Sequence, residues 1–153
     1  MDQRLQAYFG TFGKHCFGCG LENEHGIKLS TYLEGDEGVT RLVPPPHLQG
    51  WPGILQGGVI STLMDCTITS LVYATACKEA GLTPGDPDTP VYVTVNSSTD
   101  YVKPTPVSRP IELRARVSES SARKMIVTCS LFAGREETAR GRNVMVRVMG
   151  AKF

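Results

Sequence analysis

The sequence predicts an α+β fold in which a curved antiparallel β-sheet wraps one long central helix. The helix is predicted by a largely apolar stretch from Gln56 to Cys77, in which a single acid is the one charged residue. The sheet is predicted by segments in which apolar and polar residues alternate, because alternation gives a strand one buried face and one solvent face. A chain of 153 residues is long enough to bury such a core, so we predict one domain over residues 1–153.

The elements are predicted in a simple order along the chain. A turn-rich segment over residues 1–25 precedes a hairpin, whose strands run from Gly26 to Leu33 and from Val39 to Val43 around G-D-E-G. The helix is predicted over residues 56–80, and Gly81 is predicted to cap its C-terminal end. The four strands predicted after it begin at Val91, Ile111, Met125 and Asn143.

Composition and charge argue against several classes of function. Lys plus Arg number 16 and Asp plus Glu number 15, so no strong field favours nucleic acid or an anionic membrane as a partner. The first residues lack the apolar core of a signal peptide, and the acid and hydroxyl residues make the long helix a poor membrane span. We therefore predict a cytoplasmic protein. Its five cysteines are an odd, scattered set, which suits reduced thiols better than a disulfide framework.

Asp65 is the first candidate functional residue. A carboxylate within a helix that is otherwise built for burial is costly unless a partner or a reaction uses it. The alternative is a core helix with one polar residue that hydrogen bonds satisfy. The same helix opens on Gly57 and Gly58, whose missing side chains leave the first helical N–H groups open to an approaching oxygen atom. An acid and a set of amide donors therefore belong to one element.

Three motifs in a fixed order carry a family resemblance. The segment H-L-Q-G-W-P-G-I-L-Q-G-G-V-I-S-T-L-M-D leads into the helix, V-T-V-N-S-S-T-D-Y-V-K-P-T-P follows it, and C-F-G-C-G-L-E-N-E-H-G-I-K-L precedes both. Over about Cys16 to Val148 the chain resembles the hotdog-fold thioesterases, and especially the PaaI-like branch of the phenylacetate pathway. The resemblance implies the hotdog fold, acyl-CoA thioester substrates, and a homodimer or a dimer of dimers.

The chemistry that the resemblance implies is thioester hydrolysis. The backbone N–H of Gly57, with that of Gly58, would stabilise the oxyanion that develops on the substrate carbonyl. Asp65 would act either as a general base on water or as a nucleophile that forms an anhydride, and both routes remain open. Thr69, one helical turn later, is placed to hydrogen-bond Asp65 or else bonds back to its own helix. Thr94 matches a hydroxyl that orients water or the acid in related enzymes, with an ordinary strand threonine as the alternative.

Gly57 and Asp65 cannot act on one carbonyl from the same chain. They lie eight residues apart in the sequence, which is roughly 12 Å along a helix that rises about 1.5 Å per residue. An acid and an oxyanion donor must each lie within about 3 Å of the same reacting group. If both act, they come from two opposed helices, which predicts an obligate homodimer with two shared sites.

The chain departs from the family pattern at two positions. A histidine normally precedes the glycine pair, whereas this chain has Gln56, which makes hydrogen bonds but carries no proton near neutral pH. Gln56 stays among the candidate catalytic residues as a positioning group, and it also favours an alternative function, a catalytically weak protein that binds acyl thioesters. A hotdog dehydratase or hydratase is a further alternative, but such enzymes pair an acid with a histidine, and all three histidines here precede the helix. Cys66 replaces a second acid, and its side chain is predicted to face away from that of Asp65.

The remaining candidates concern the two ends of the substrate. An apolar acyl group needs an apolar slot, which Trp51 and Ile54 are predicted to line, with plain packing as the alternative. His47 is the one histidine that is placed to reach the cleft. Cationic side chains at strand ends are candidates for the phosphates of CoA, each with a solvated surface charge as the alternative. They are Lys103, Arg109, Arg123 and Lys124.

The cysteine pair in H-C-F-G-C-G raises the question of a metal. The pair has His15 and His25 nearby, but the sequence offers neither a second C-x-x-C nor a properly spaced pair of histidines. We therefore expect no metal and no cofactor. The segment is interpreted as a structural turn that leads into the first strand, in which Asn23 and Gly26 serve the turn geometry.

Overall fold

The fold consists of one antiparallel sheet and one long helix packed against it. The computed structural model describes residues 3–152. The predicted domain also includes residues 1, 2 and 153, and the predicted N-terminal segment includes the first two; these three lie outside the described residues. The strands are β1 (Thr31–Glu34), β2 (Glu37–Leu42), β3 (Pro90–Tyr101), β4 (Ile111–Ser120), β5 (Lys124–Ala133) and β6 (Glu136–Lys152). They form one sheet in the order β1-β2-β4-β5-β6-β3, and every neighbouring pair is antiparallel. This arrangement confirms the predicted α+β fold.

The long helix, α1, runs over Gly57–Glu79 and confirms the segment predicted at residues 56–80. Gln56 caps its start, because the side-chain Oε1 accepts a hydrogen bond from the backbone N–H of Val59 at 2.9 Å. At the other end the chain leaves the helix through Gly81, whose φ of +69° lies in the left-handed region that favours glycine. Both ends of the helix are therefore fixed by the residues next to it in the sequence.

The core lies between α1 and the sheet. Buried residues follow the whole length of α1, and they pack against the inward side chains of the strands, among them Leu113, Val127 and Met145. By length and composition alone α1 also meets the criterion for a membrane-crossing helix, but 67% of its apolar window is buried within the fold, as in a core helix. Burial against the sheet therefore accounts for the apolar character of α1.

The first strand is shorter than the alternation predicts. The prediction of a strand over 26–33 was wrong before Thr31, where β1 begins. The backbone at Lys28 has a φ of 56°, which breaks the extended chain. The N–H of Ile27 donates to the carbonyl of Phe17 at 2.9 Å, so this part of the chain bonds to the N-terminal segment rather than to β2.

The last strand is longer than predicted. It was expected from Asn143 onward, but β6 begins at Glu136, directly after a two-residue turn in which Gly134 has a φ of +65°. The added residues are mostly polar, so they give no apolar alternation. They are held as a strand by the backbone, because β6 lies between β5 and β3 and pairs with both.

The N-terminal segment packs across α1 and leads into β1. It contains a short 3-10 helix over Leu5–Tyr8, followed by turns. The predicted turn role of Asn23 is confirmed, because its Oδ1 accepts a hydrogen bond from the N–H of His25 at 3.0 Å. Gly26 permits the close approach of the turn, since a Cβ at this position would lie 2.9 Å from the carbonyl oxygen of Phe17.

Candidate active site

Asp65 lies in the middle of α1 on the side that faces β3 and β6. Its carboxylate is half-buried, and one oxygen, Oδ1, accepts two hydrogen bonds of 2.8 Å. One comes from the Thr94 hydroxyl on β3 and the other from the side-chain amide of Asn143 on β6. Hydrogen bonds to a charged acceptor are worth about 1.5–3 kcal/mol each, so this pair holds the carboxylate in one orientation.

The second oxygen of Asp65 is open. Within residues 3–152 no donor hydrogen-bonds Oδ2, and no buried side-chain oxygen or nitrogen in that part of the chain lacks a partner. Oδ2 is therefore in contact with solvent rather than sealed in the core. A carboxylate with one oxygen held and the other free has the geometry that a base or nucleophile requires.

Thr94 reaches Asp65 because β3 is irregular at this point. The pairing of β3 with β6 shifts by one residue between Thr94 and Asn96, which places a β-bulge at Val95. Bulges bend a strand and redirect the side chains beside them. The predicted partnership of Thr94 with the acid is present as a hydrogen bond, and its hydroxyl also lies 3.1 Å from the sulfur of Met145.

Asn143 is a site residue that sequence reasoning missed. Its side chain is 1% exposed on β6, and its amide points at Asp65 from a position 78 residues further along the chain. The available signal was one amide side chain among the apolar residues of N-V-M-V, a polar group that burial makes costly without a partner.

The start of α1 supplies free backbone donors. The N–H groups of Gly57 and Gly58 donate to no acceptor among the described residues, since the Gln56 side chain caps Val59 instead. The carbonyl of Gly57 accepts a hydrogen bond from the Tyr101 hydroxyl at 2.9 Å, which ties the helix start to the end of β3. Two amide donors therefore remain available to a ligand.

A cavity of about 690 Å³ opens beside these donors. Four predicted site residues at the helix start line it, Trp51, Ile54, Gln56 and Gly57, and Lys103 lines it as well. Trp51 is 79% exposed in the single chain, which leaves its ring available to a ligand or a partner. The cavity thus combines apolar walls, the free amide of Gly57 and one cation.

The two halves of the site lie apart within one chain. Gly57 lines the cavity at the start of α1, whereas Asp65 does not, and along the helix they are separated by roughly 12 Å. One carbonyl group cannot touch both. The geometry agrees with the sequence argument that Asp65 and Gly57 of the same chain serve different sites.

Several predicted site residues lie elsewhere. No hydrogen bond joins Thr69 to Asp65 in the described chain, where both bonds to the carboxylate come from the sheet. His47 lies in the short 3-10 helix Pro46–Leu48 and lines a separate depression with His25, and none of the three histidines hydrogen-bonds Asp65.

The predicted CoA-binding cations are not gathered at one place. Lys103 lines the cavity and pairs with Glu136, while Arg109 lies in a neighbouring depression that Glu136 also lines. Arg123 and Lys124 lie at the turn between β4 and β5. Ser120, just before this turn, hydrogen-bonds Glu79 at the C-terminal end of α1. Within one chain, the cations of this turn therefore lie at the opposite end of the helix from Lys103.

Cys66 faces away from the acid, as predicted. Its sulfur lies 3.8 Å from that of Cys16 in the N-terminal segment, whereas Asp65 bonds to the sheet. The hydrogen bond from Cys66 lowers the pKa of the Cys16 thiol to about 4, and the same contact raises the pKa of Cys66. The missing second acid therefore leaves the surroundings of Asp65 intact.

The comparison with known families decides what kind of chain this is. The family model described as Thioesterase superfamily matches residues 52–140, which is more than half of the sequence and includes Gly57, Asp65 and Thr94. The chain belongs to the thioesterase superfamily. Acyl-coenzyme A thioesterase THEM4 of Rattus norvegicus is 27% identical over 92 residues, which cover 60% of this chain and 34% of the relative. The chain thus matches about a third of the length of that relative.

Solved structures confirm the hotdog fold of this superfamily member. A thioesterase superfamily protein from Shewanella loihica is 29% identical, with a TM-score of 0.63 over 83% of this chain and 96% of that one. The PaaI protein from the phenylacetic acid degradation operon of E. coli has a TM-score of 0.69 at 12% identity, over 86% of this chain and 89% of that one. The smu.793 protein of Streptococcus mutans, solved with bound acetyl CoA, has a TM-score of 0.62 at 17% identity, over 78% and 88%.

Proposed function

We propose that this chain is an acyl-CoA thioesterase that acts as a homodimer. The observation that carries the proposal is the carboxylate of Asp65, whose Oδ1 accepts two hydrogen bonds while Oδ2 stays open. Because the chain belongs to the thioesterase superfamily, we infer that this carboxylate acts on a thioester carbonyl. The THEM4 relative and the acetyl CoA in the Streptococcus mutans structure support CoA as the thiol of the substrate.

In the proposed reaction, Asp65 attacks and the helix start stabilises charge. As a general base, Oδ2 takes a proton from water, which adds to the carbonyl carbon and expels the CoA thiolate. As a nucleophile, Oδ2 adds to that carbon itself, CoA thiolate leaves, and water hydrolyses the resulting anhydride. In both routes the carbonyl oxygen gains negative charge, which the free N–H of Gly57 of the partner subunit stabilises, at the positive end of its helix.

The proposed dimer joins the β3 edges of two chains. β3 is an edge strand of 12 residues, and Val93 and Val95 on it are 45% and 59% exposed. A long edge with exposed apolar side chains is a template for pairing with another strand. Pairing here would also bring each α1 near its counterpart, which the separation of Asp65 from Gly57 requires.

In the proposed binding site the acyl group lies in the cavity and the phosphates of CoA lie at the surface. Trp51 and Ile54 provide apolar wall at the helix start, and Lys103 lies at the rim where a phosphate of CoA would approach. The Nε2 of Gln56 donates to no residue in the described range, so it is free to orient the thioester while Oε1 caps the helix. Arg109, Arg123 and Lys124 remain proposed phosphate contacts of the dimer.

The first test is CoA thiol release from short-chain, long-chain and aromatic acyl-CoAs by the wild type and by Asp65→Ala. We expect the variant to lose turnover by roughly 10²–10⁴-fold, the range for loss of a general base, while the dimer persists in light scattering. Asp36→Asn is the matched control, because the Asp36 side chain is 95% exposed in a turn, where it pairs with Lys78. Full activity in Asp65→Ala would contradict the proposed role, and hydroxylamine trapping of an acylated Asp65 would identify the nucleophilic route.

Gln56 supports a second candidate, an acyl-thioester binding protein without turnover. Its Oε1 is occupied by the helix cap, and its side chain carries no titratable proton at neutral pH. Binding of acyl-CoA in calorimetry, with no thiol release by the wild type from any substrate, would favour this candidate over the enzyme. Restored turnover in Gln56→His would then show that this position is what limits the chemistry.

A further inference from the structure

The three cysteines Cys16, Cys19 and Cys66 form a compact cluster outside the proposed active site. Their sulfur atoms all lie within 4.8 Å of one another, and the Cys16–Cys66 distance is 3.8 Å. Cys19 and Cys66 are only 3% and 5% exposed, whereas Cys16 lies closer to the surface. The cluster joins the N-terminal C-x-x-C turn to the middle of α1, one residue after Asp65.

The distance between the Cys16 and Cys66 sulfurs matches one edge of a metal–thiolate tetrahedron. Zinc–sulfur bonds of about 2.3 Å at tetrahedral angles place two sulfur ligands about 3.8 Å apart. A disulfide needs the two sulfurs to lie about 2.05 Å apart. The Cys16–Cys66 pair would therefore have to move further to form a disulfide than to bind zinc. The 3.8 Å distance between Cys16 and Cys66, with all three sulfurs within 4.8 Å of one another, therefore suits ligands around one cation better than a covalent bond.

The backbone is shaped to bring the turn against the helix. A Cβ on Gly18 would lie 2.4 Å from the sulfur of Cys66, so only a glycine lets the turn come this close. A Cβ on Gly20 would lie 2.4 Å from the backbone nitrogen of Cys16, which makes the second glycine equally necessary. The two glycines that flank Cys19 thus permit the close approach that brings the three thiols together.

The remaining cysteines lack this arrangement. Cys77 is buried on the same helix, where its sulfur accepts a hydrogen bond from Thr89, and Cys129 is buried on β5. Neither belongs to a group of three potential ligands in the described part of the chain. Burial of free cysteine is common, so Cys77 serves as an internal reference for a purely structural thiol.

We propose that Cys16, Cys19 and Cys66 bind one zinc ion as thiolates, with a small exogenous ligand such as water in the fourth position. Binding converts three thiols and Zn²⁺ into a zinc trithiolate and releases three protons. The ion would fasten the N-terminal segment to α1 beside the acid and so stabilise the folded chain. The proposal departs from the expectation of no metal, because the third ligand lies 47 residues beyond the C-x-x-C pair and only the fold reveals it.

The test uses the full chain, reduced and freed of any purification tag. Zinc content by mass spectrometry is expected to be one ion per chain, and Co²⁺ should give the sulfur charge-transfer and visible bands of a tetrahedral thiolate site. Cys66→Ser is expected to weaken zinc binding by roughly 100-fold or more, since even supporting residues of metal sites contribute 10–100-fold. Cys77→Ser, a buried change on the same helix, should bind zinc as the wild type does.

The wild-type measurement keeps the proposal falsifiable even if a variant fails to fold. Reduced wild type that takes up no zinc at one equivalent, or whose melting temperature does not rise with added zinc, would overturn the proposal. Equal zinc binding by Cys66→Ser and Cys77→Ser would do the same. A Cys16–Cys66 disulfide in peptide mapping, formed by a protein that binds no zinc when reduced, would reassign the cluster to thiol oxidation and also overturn it.

Discussion

The middle and the start of α1 hold their polar groups in opposite ways. In the middle, Asp65 is an acceptor fixed by donors on two strands, Thr94 and Asn143. At the start, Gly57 and Gly58 are donors with no acceptor in the described chain. One region is a satisfied charge with one free oxygen, and the other is a pair of unsatisfied amides beside a cavity.

This difference indicates that each region is half of a site. A carboxylate that is held rigidly suits attack, and open amides at a helix start suit a developing oxyanion. Neither region contains the other function, and the helix keeps them roughly 12 Å apart. Variants that remove one half and leave the other unchanged test whether the two regions have separate roles.

After the loss expected for Asp65→Ala, the next largest effect is expected from Gly57→Pro, which removes the amide hydrogen. We expect turnover to fall by roughly 10²–10³-fold, the range for loss of one oxyanion donor. Proline is tolerated at the first helical position, and the extended backbone of Gln56, with φ of −66° and ψ of 136°, suits a residue before proline. Steady-state thiol release and circular dichroism would measure activity and fold.

Gly57→Ala is the matched control for that variant. It keeps the N–H, and its Cβ makes the same contact of 3.3 Å with the Tyr101 ring that the proline would make. An equal loss in the two variants would assign the effect to packing against Tyr101 rather than to the amide hydrogen.

Mixing Asp65→Ala with Gly57→Pro tests whether the halves meet across a dimer. A hybrid has one site with both halves intact, so statistical mixing after refolding should restore about a quarter of the wild-type rate. Thiol release is measured before and after subunit exchange. Activity that stays at the level of the separate variants would show that each site belongs to one chain.

A smaller loss is expected from Asn143→Ala. Removal of a buried donor to a charged acceptor costs about 1.5–3 kcal/mol, which corresponds to roughly 10–100-fold if it appears in turnover. The loss should fall on kcat, since Asn143 positions Asp65 rather than the substrate. A change confined to KM would argue that Asn143 contacts substrate instead.

Thr94→Val should have a milder effect than Asn143→Ala. The substitution removes one hydroxyl donor to Asp65 at nearly constant shape, on an edge strand rather than on the central β6. We expect a loss of about tenfold or less in kcat. A larger loss than that of Asn143→Ala would move Thr94 from holding the acid to orienting the attacking water.

The smallest effect is expected far from both regions, at Glu37 on β2. The hydrogen bond from Arg116, and then that from Arg114, holds the pKa of the Glu37 carboxyl below its usual range. Its stabilisation is therefore present above the ordinary glutamate pKa and is lost as pH falls through the lowered value. Glu37→Gln should cost about 0.2–1 kcal/mol of unfolding free energy at pH 7 and nothing in turnover. Denaturation at pH 7 and at pH 3 measures it, and a difference that grows in acid would contradict the assignment.

The sequence was most informative where structure is local. The apolar composition of α1 and the breakers at both ends predicted its bounds to within one residue of those observed. β1 and β6 were misjudged because their extents depend on partners. Residues 26–30 bond to the N-terminal turn, and residues 136–142 are held by strands on both sides, which no local alternation encodes.

In the site, too, local features were predicted and features that depend on distant partners were not. Asp65 was identifiable as a lone acid in an apolar helix, and the family resemblance pointed to Thr94. Asn143 and the third thiol of the cysteine cluster, Cys66, escaped prediction because their partners lie 78 and 50 residues away in sequence. A single sequence reveals which polar residues need partners, but the fold decides which partners they receive.

The β-bulge at Val95 determines how one strand serves both halves of the site. On a regular strand Thr94 and Tyr101, seven positions apart, would point to opposite faces of the sheet. The extra residue resets the alternation, so Thr94 bonds Asp65 while Tyr101 bonds Gly57 on the same side. Deleting one residue there would turn one of them outward without altering any catalytic group, so the site depends on a residue count as much as on residue identity.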